Sequence, residues 1–223
     1  MTQLYIDSAD TAEWRNALDA ALVRRATCNP LLMGAAGWPV TLDACRTLVD
    51  QARHIGLSEL HVQAWPDDQD DWTPVALAIA ALAPFVVVKL PAVPAAMRAA
   101  RELKRQGARV LITAISNPLH GLWAAEIGAD FVAPYVGRLQ ESGSDAHALI
   151  DALVRLQDQG GPVVLAASIR HLDTLRRLVI QGVGAVTLRW GLLAQAINDS
   201  ATLAAVEDFE RTRRASQGAV PQK

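Results

Sequence analysis

Lysine is scarce in this chain of 223 residues: of 21 basic residues only Lys89, Lys104 and Lys223 are lysines, and the others are arginines. Lys104 falls in a polar stretch with helical character, and Lys223 is the last residue. Lys89 instead follows Val86-Val87-Val88 and precedes Leu90-Pro91, the most hydrophobic surroundings any basic residue here has. Arginine cannot give up its proton, whereas lysine can. Removal from water disfavours the ammonium form, and a neutral amine can attack a carbonyl to form a Schiff base. The competing reading is a lysine that snorkels out of a strand end.

Other chemically capable residues also stand directly after apolar runs: Asp7, Asn29, Gln63, Thr113, Tyr135, and Ser168 with Arg170. Taken singly, each has an ordinary explanation. Asp7 could cap a helix, Asn29-Pro30 could form a turn, and Thr113 could start a helix. Their joint recurrence at strand ends is what points to a site. Ser168 and Arg170, with Arg138 three residues after Tyr135, offer a hydroxyl, backbone N–H groups and two guanidinium forks, a set suited to phosphate. Arg138 could equally make a surface ion pair, and Arg170 could pair with a nearby helix. Cys28 has no histidine placed beside it in sequence and reads as a buried thiol. The five histidines (54, 61, 120, 147 and 171) and the two cysteines show no metal-ligand spacing, so no metal is expected, and Schiff-base chemistry at Lys89 would need no organic cofactor, its protonated imine being the electron sink.

Repeated βα units would position these residues. Strands are expected at about 3–6, 24–27, 59–63, 85–89, 109–113, 130–133, 163–167 and 185–188. Helical patterns follow each, including 41–54, 75–83, 93–106, 118–127, 145–158, 171–181 and 190–198. Asp10 with Glu13 resembles a capping box. Gly56, Gly107, Gly128, Gly160 and Gly182 fall where helices should stop. Strands that are apolar on both faces, with helices between them, imply a parallel sheet, and eight units close most naturally into an α/β (β/α)8 TIM barrel. An open doubly wound sheet would want a glycine-rich loop after its first strand, where Asp7-Ser8-Ala9-Asp10 stands instead. The expected organisation is a barrel over residues 1–200. An additional C-terminal helix, about 201–214 within the segment 201–223, either belongs to the same domain or docks on a neighbour.

Composition narrows the function class. The chain is 51% hydrophobic and 20% charged with a net charge of −2, which suits one globular domain or at most two small ones. No basic stripe suggests nucleic acid; Arg211, Arg213 and Arg214 read as a solvated helix end. Between Pro74 and Met97 only Lys89 is charged, but Pro84, Pro91 and Pro94 break the stretch, so a buried helix and a strand fit better than a membrane span. The segment from Met1 reaches Asp7 before any apolar signal core forms, so a cytoplasmic protein is expected.

The residue pattern resembles the transaldolase family, in particular its short subgroup that includes fructose-6-phosphate aldolase. The resemblance is carried by Leu4-Tyr5-Ile6-Asp7, Thr27-Cys28-Asn29-Pro30, Val62-Gln63, Val87-Val88-Lys89-Leu90-Pro91 and Ile112-Thr113-Ala114. It continues through Val132-Ala133-Pro134-Tyr135-Val136-Gly137-Arg138 and Leu165-Ala166-Ala167-Ser168-Ile169-Arg170. These stretches are collinear and span nearly the whole chain. The resemblance implies that Lys89 forms the Schiff base, that Asp7 moves protons and holds substrate hydroxyls, and that Asn29 binds hydroxyls near the lysine. Gln63, Thr113 and Tyr135 would position the water or proton used in dehydration and C–C cleavage. Ser168, Arg138 and Arg170 would grip a phosphate, and Ala133 would contact substrate.

Gln63 and Tyr135 are the pair that this resemblance associates with free aldol chemistry, whereas Glu and Phe accompany group transfer. The implied partners are a sugar phosphate, or a hydroxyketone with an aldehyde, and other copies of the chain in a pentamer or decamer. The sequence departs from the pattern at Cys28, at Ala92-Val93, at Ser116 and at Arg189, where threonine, a small polar residue, an aromatic and proline are usual. Trp65 also follows closely on Gln63. These departures leave the lysine machinery in place and remodel the pocket wall.

Overall fold

The structure, a computed structural model, describes residues 2–218; Met1 and the tail from 219 to 223, with Lys223, lie outside the described residues. Eight parallel strands close a barrel in sequence order: β1 (Gln3–Asp7), β2 (Arg25–Thr27), β3 (Glu59–Gln63), β4 (Val86–Pro91), β5 (Val110–Ile115), β6 (Phe131–Pro134), β7 (Val163–Ala166) and β8 (Ala185–Leu188). Closure is made by β1 on β8, with Leu4 opposite Val186 and Ile6 opposite Leu188. The expected (β/α)8 architecture is therefore the observed one.

Alternate residues serve two cores, as a period of two requires. Tyr5, Val87, Leu111, Phe131, Ala133, Leu165 and Ala185 fill the barrel. Ile6, Ala26, Leu60, Val62, Val88, Ile112, Val132 and Val164 face outward under the helices. The helix α3 (Leu42–Ile55) shows how these are covered. Thr41 caps it by accepting from the Ala44 N–H at 3.2 Å, Cys45, Leu48, Val49 and Ala52 are buried, and Gly56 ends it at φ 92°. The other four expected stop glycines also have positive φ. The first helix, α1 (Thr11–Asp19), is capped by Asp10, but not through a reciprocal box. Asp10 accepts from the Ala12 N–H at 2.8 Å, and its own N–H is already held by Ser8 Oγ at 3.0 Å.

Two short helices lie where only loops were expected: α2 (Pro30–Ala35) after β2, and a six-residue helix, Val136–Glu141, after β6. Six residues are too few to show a helical period in sequence. The stretch from Pro74 to Met97 divides into a helix over Thr73–Ala80, strand β4 and the start of a helix over Pro94–Arg105. Among the described residues, no helix is long and apolar enough to cross a membrane. The last helix, Ser200–Gly218, has no buried side chain among those described, and it leaves Leu203, Val206 and Phe209 49%, 49% and 70% exposed.

At the N-terminal end of the barrel a polar cluster interrupts the apolar filling. Glu59 accepts from the Tyr5 hydroxyl at 2.6 Å and from His61 Nε2 at 2.7 Å, and Arg109 pairs with it at 2.6 Å. The Arg109 guanidinium also lies over the Phe131 ring at 5.5 Å. Burial alone would raise the Glu59 carboxyl, but hydrogen bonds and charge from His61, with Tyr5 and Arg109, outweigh it and hold the group at about 2. Burial pushes the His61 imidazole down to about 4, against the pull of Glu59.

The sign of the pH dependence follows. Between pH 6.5 and about 4 the unfolded chain protonates this imidazole while the folded chain does not, so acidification through that window lowers stability. Glu59 extends the loss from about 4.5 toward 2. Urea midpoints should therefore fall as pH drops from 7 toward 4, and His61→Phe should flatten that slope. A slope unchanged in His61→Phe would remove His61 as its source.

Candidate active site

The C-terminal ends of the strands carry the polar residues. Asp7 ends β1, and its Oδ1 accepts from the Thr27 hydroxyl at 2.8 Å; Thr27 in turn lies 2.7 Å from the Thr187 hydroxyl on β8. Both threonines are buried, so this short chain fixes the Asp7 carboxylate from two neighbouring strands. The loop after β1 is pinned by two indoles: Trp14 donates to the Ser8 carbonyl at 2.9 Å, and Trp38 to the Ala9 carbonyl at 3.1 Å. Asn29 precedes α2 and caps it, accepting from the Leu32 N–H at 3.0 Å. The turn-forming and site-lining readings of Asn29 hold together, because the oxygen caps while the residue still borders the cavity.

Lys89 is 4% exposed and stands fourth in β4, with Gln63 directly beside it in the β3–β4 register. On β5, Thr113 donates to the Tyr135 hydroxyl at 2.8 Å. Immediately afterward the β5–β6 register slips, and Ala114 takes a φ of 57°. Such a conformation costs a residue with a Cβ about 1–3 kcal/mol and clusters at functional sites.

Ser168, after β7, has the same left-handed conformation, with φ 60°. It is held by the Gly137 N–H, which donates to the Ser168 carbonyl at 3.0 Å, while the Val136 N–H donates to the Ala167 carbonyl at 2.9 Å. A Cβ on residue 137 would come 2.4 Å from that carbonyl oxygen, so only glycine allows the two loops to approach this closely. The Arg138 guanidinium lies 4.9 Å above the Tyr135 ring. Arg170 pairs through both terminal nitrogens with Glu141, and its Nε sits against Gly137.

One cavity of about 240 Å³ joins most of these groups. It is lined by Asp7, Asn29, Leu31, Leu32, Lys89, Tyr135, Arg138, Ala167, Ser168, Ile169, Arg170 and Arg189. Gln63, Thr113 and Ala133 do not line it. Gln63 flanks Lys89, Thr113 meets the site through Tyr135, and Ala133 is packed inside the barrel. Four basic residues line this space against one acidic residue, Asp7, so the cavity suits an anionic ligand. Thr27 and Thr187 were not among the expected site residues; their alternation with the apolar, outward-facing Ala26 and Leu188 was the available signal. Leu31 and Leu32, which form part of the wall, were not expected there either.

A second hollow, of about 550 Å³, opens at the opposite end of the barrel, among Gln3, Arg25, Glu59, Arg109 and Asp130. That end carries the Glu59 cluster, whose place in a barrel is structural. Cys28 is fully buried, donates to the His61 carbonyl at 3.4 Å, and has its thiol pushed by burial up to about 12. It is thus held as the thiol rather than as a nucleophile.

With this geometry in place, comparison with known proteins is specific. The family described as Transaldolase/Fructose-6-phosphate aldolase matches residues 4–220. A protein named "Probable transaldolase" from Roseiflexus sp. (strain RS-1) is 30% identical over 212 residues, covering 93% of this chain and 94% of that protein. A "Probable transaldolase 2" from Listeria monocytogenes serovar 1/2a is 29% identical over 215 residues, covering 93% and 94%. Among solved structures, a thiamine phosphate pyrophosphorylase from Pyrococcus furiosus superposes with a TM-score of 0.58 at 16% identity, over 84% of this chain and 85% of that one. That likeness concerns the fold alone. The chain is a member of the transaldolase/fructose-6-phosphate aldolase family, with chemistry of the aldolase/transaldolase class.

Proposed function

We propose that the protein is a class I aldolase that cleaves or forms a C–C bond in a ketose phosphate such as fructose 6-phosphate, or joins a hydroxyketone to an aldehyde. The observation that carries this reading is the buried Lys89 amine bordering an anion-suited cavity beside Asp7 and Tyr135. The amine adds to the ketose carbonyl, and loss of water gives a protonated imine. A base takes the proton from the hydroxyl beyond the scissile bond. That bond then breaks, its electron pair flows into the imine to form an enamine, and the aldehyde leaves. Protonation of the enamine and hydrolysis release the ketone and regenerate Lys89.

Asp7, oriented by Thr27, holds the substrate hydroxyls and moves protons in this scheme. Tyr135, oriented by Thr113, gives and takes the proton of dehydration and cleavage, with Gln63 placing the water. Asn29 binds hydroxyls near the lysine, and Ser168 with Arg138 takes the phosphate. The protonated imine is the electron sink, so the scheme calls for no metal or organic cofactor. The enzyme would work in the cytoplasm, on metabolites of the pentose phosphate type.

A second reading, transfer of a dihydroxyacetone unit to an acceptor sugar, has the names of the relatives in its favour. Gln63 and Tyr135 favour the free aldolase. Borohydride reduction in the presence of candidate ketoses should label Lys89, and Lys89→Arg should abolish both labelling and turnover while the fold survives. Free triose should form without an acceptor aldose. Absence of labelling with every ketose would make the protein a non-catalytic sugar-phosphate-binding barrel, and triose that appears only with an acceptor would make it a transaldolase.

Tyr135→Phe should lower cleavage by about 10²–10⁴-fold with a smaller effect on ligand binding. An unchanged cleavage rate would reduce Tyr135 to a wall residue.

We also propose a homo-oligomer larger than a dimer, in which the last helix rests on a neighbouring subunit. Its Leu203, Val206 and Phe209 stripe is left half or more exposed by the described residues. Light scattering should give a mass well above the 23.9 kDa chain, and removal of residues 201–223 should lower it. A monomer at micromolar concentration, or a truncated assembly of unchanged subunit number, would overturn this assignment.

A further inference from the structure

The basic side chains around the cavity are not equally available. The Arg170 guanidinium is held by both carboxylate oxygens of Glu141. Its Nε packs against Gly137, where the loops after β6 and β7 touch. Arg138 lies over the Tyr135 ring. Arg189 differs from both. It follows β8 directly, at the entrance to the helix Trp190–Ile197, and its main-chain carbonyl accepts from the Leu192 and Leu193 N–H groups at 3.1 Å each. Its backbone is thereby fixed, whereas its side chain makes no hydrogen bond or ion pair among the described residues. The residue borders the Lys89 cavity on one side. On the other it borders a cleft of about 100 Å³ with Ser8, Asp10 and Glu13, and its guanidinium is paired with neither acid.

The position of Arg189 in the ring of strands gives this availability a direction. β8 lies between β7, which leads to Ser168, and β1, which ends in Asp7. It also lies four strands from β4 and Lys89 in either direction, on the far side of the barrel. A substrate bound to Lys89 and extending across the cavity would bring its distal end to the β7–β8 side. We infer that Arg189 is a specificity-determining residue that grips the anionic end of the aldehyde half of the substrate, closing from the β8 side the phosphate site that Ser168 and Arg138 open from β6 and β7. A forked guanidinium that is unpaired in the free protein can make charge-assisted bonds to phosphate without first breaking an ion pair. Arg170 would have to release Glu141 to do the same. This inference rests on the aldolase reading for its substrate, but not for the anion site itself.

The test separates the two. Titration calorimetry with inorganic phosphate needs no turnover. Arg189→Met, which keeps length and removes charge, should weaken phosphate binding by about tenfold or more, and Arg189→Lys should recover part of the loss. Arg176→Met, on the surface helix Leu172–Ile180, is the control and should stay within about twofold of wild type. In the direction of aldol addition, Arg189→Met should raise KM for a phosphorylated aldehyde by a similar factor and leave its unphosphorylated analogue within about twofold. Wild-type protein that binds no phosphate, Arg189→Met that binds it as wild type does, or equal KM changes for both aldehydes would each overturn the assignment. Phosphate binding lost in Arg189→Met, in a protein that shows no imine trapping with any ketose, would sustain the anion site and sink the aldolase reading instead.

Discussion

Closure of the barrel by pairing β1 with β8 governs what every other part of the molecule can be. A closed parallel sheet leaves no free edge, and each strand must bury one set of side chains inward and the other under helices. Polar groups therefore gather toward the two ends of the barrel, where it meets loops. At the C-terminal end this restriction gathers Asp7, Lys89, Tyr135 and Ser168 around one cavity, although the first and last are 161 positions apart in sequence. At the N-terminal end it produces the Glu59 cluster, in which three donors satisfy one buried carboxylate. A carboxylate so placed without those donors would carry a large desolvation penalty.

The cavity end depends on hydroxyls as much as on charges. Thr27 and Thr187 form a buried pair behind Asp7, and Thr113 stands behind Tyr135. In each case a short β-branched side chain, stiff at χ1, orients a group that faces the cavity. Side chains positioned in this way lose little freedom when substrate binds, which is what preorganised acid–base chemistry needs. The left-handed backbone at Ala114 and Ser168 belongs to the same economy of position, since both residues turn the chain sharply at the rim.

Much of this was legible from the chain. A lone lysine after three valines, polar residues after the other apolar runs, and glycines after amphipathic stretches suffice to place eight βα units and their shared rim. What was not legible has physical reasons. The helices after β2 and β6 have six residues each, less than two turns, so no period can reveal them. The Asp10 cap could be read, but not that Ser8 would occupy the N–H a capping box needs. The partners of Arg170 and Arg138 depend on how two loops distant in sequence meet, and that meeting turns on the absent side chain of Gly137. The resemblance implied roles for Gln63, Thr113 and Ala133; the geometry adds that these three lie behind or beside the cavity rather than in its wall.

The contact between Gly137 and Ser168 also bears on how such a pocket can change over evolutionary time. Residue 137 admits no side chain, and residue 168 carries a strained backbone fastened to it, so the wall between β6 and β7 is nearly closed to drift. The wall on the β8 and α2 side has no comparable lock. Leu31 is 71% exposed on α2, and Arg189 borders two separate hollows. New substrate preferences on this barrel would therefore arise by replacement on the β8 and α2 side, while the β6–β7 junction persists as the fixed half of a hand whose other half is free to be reshaped.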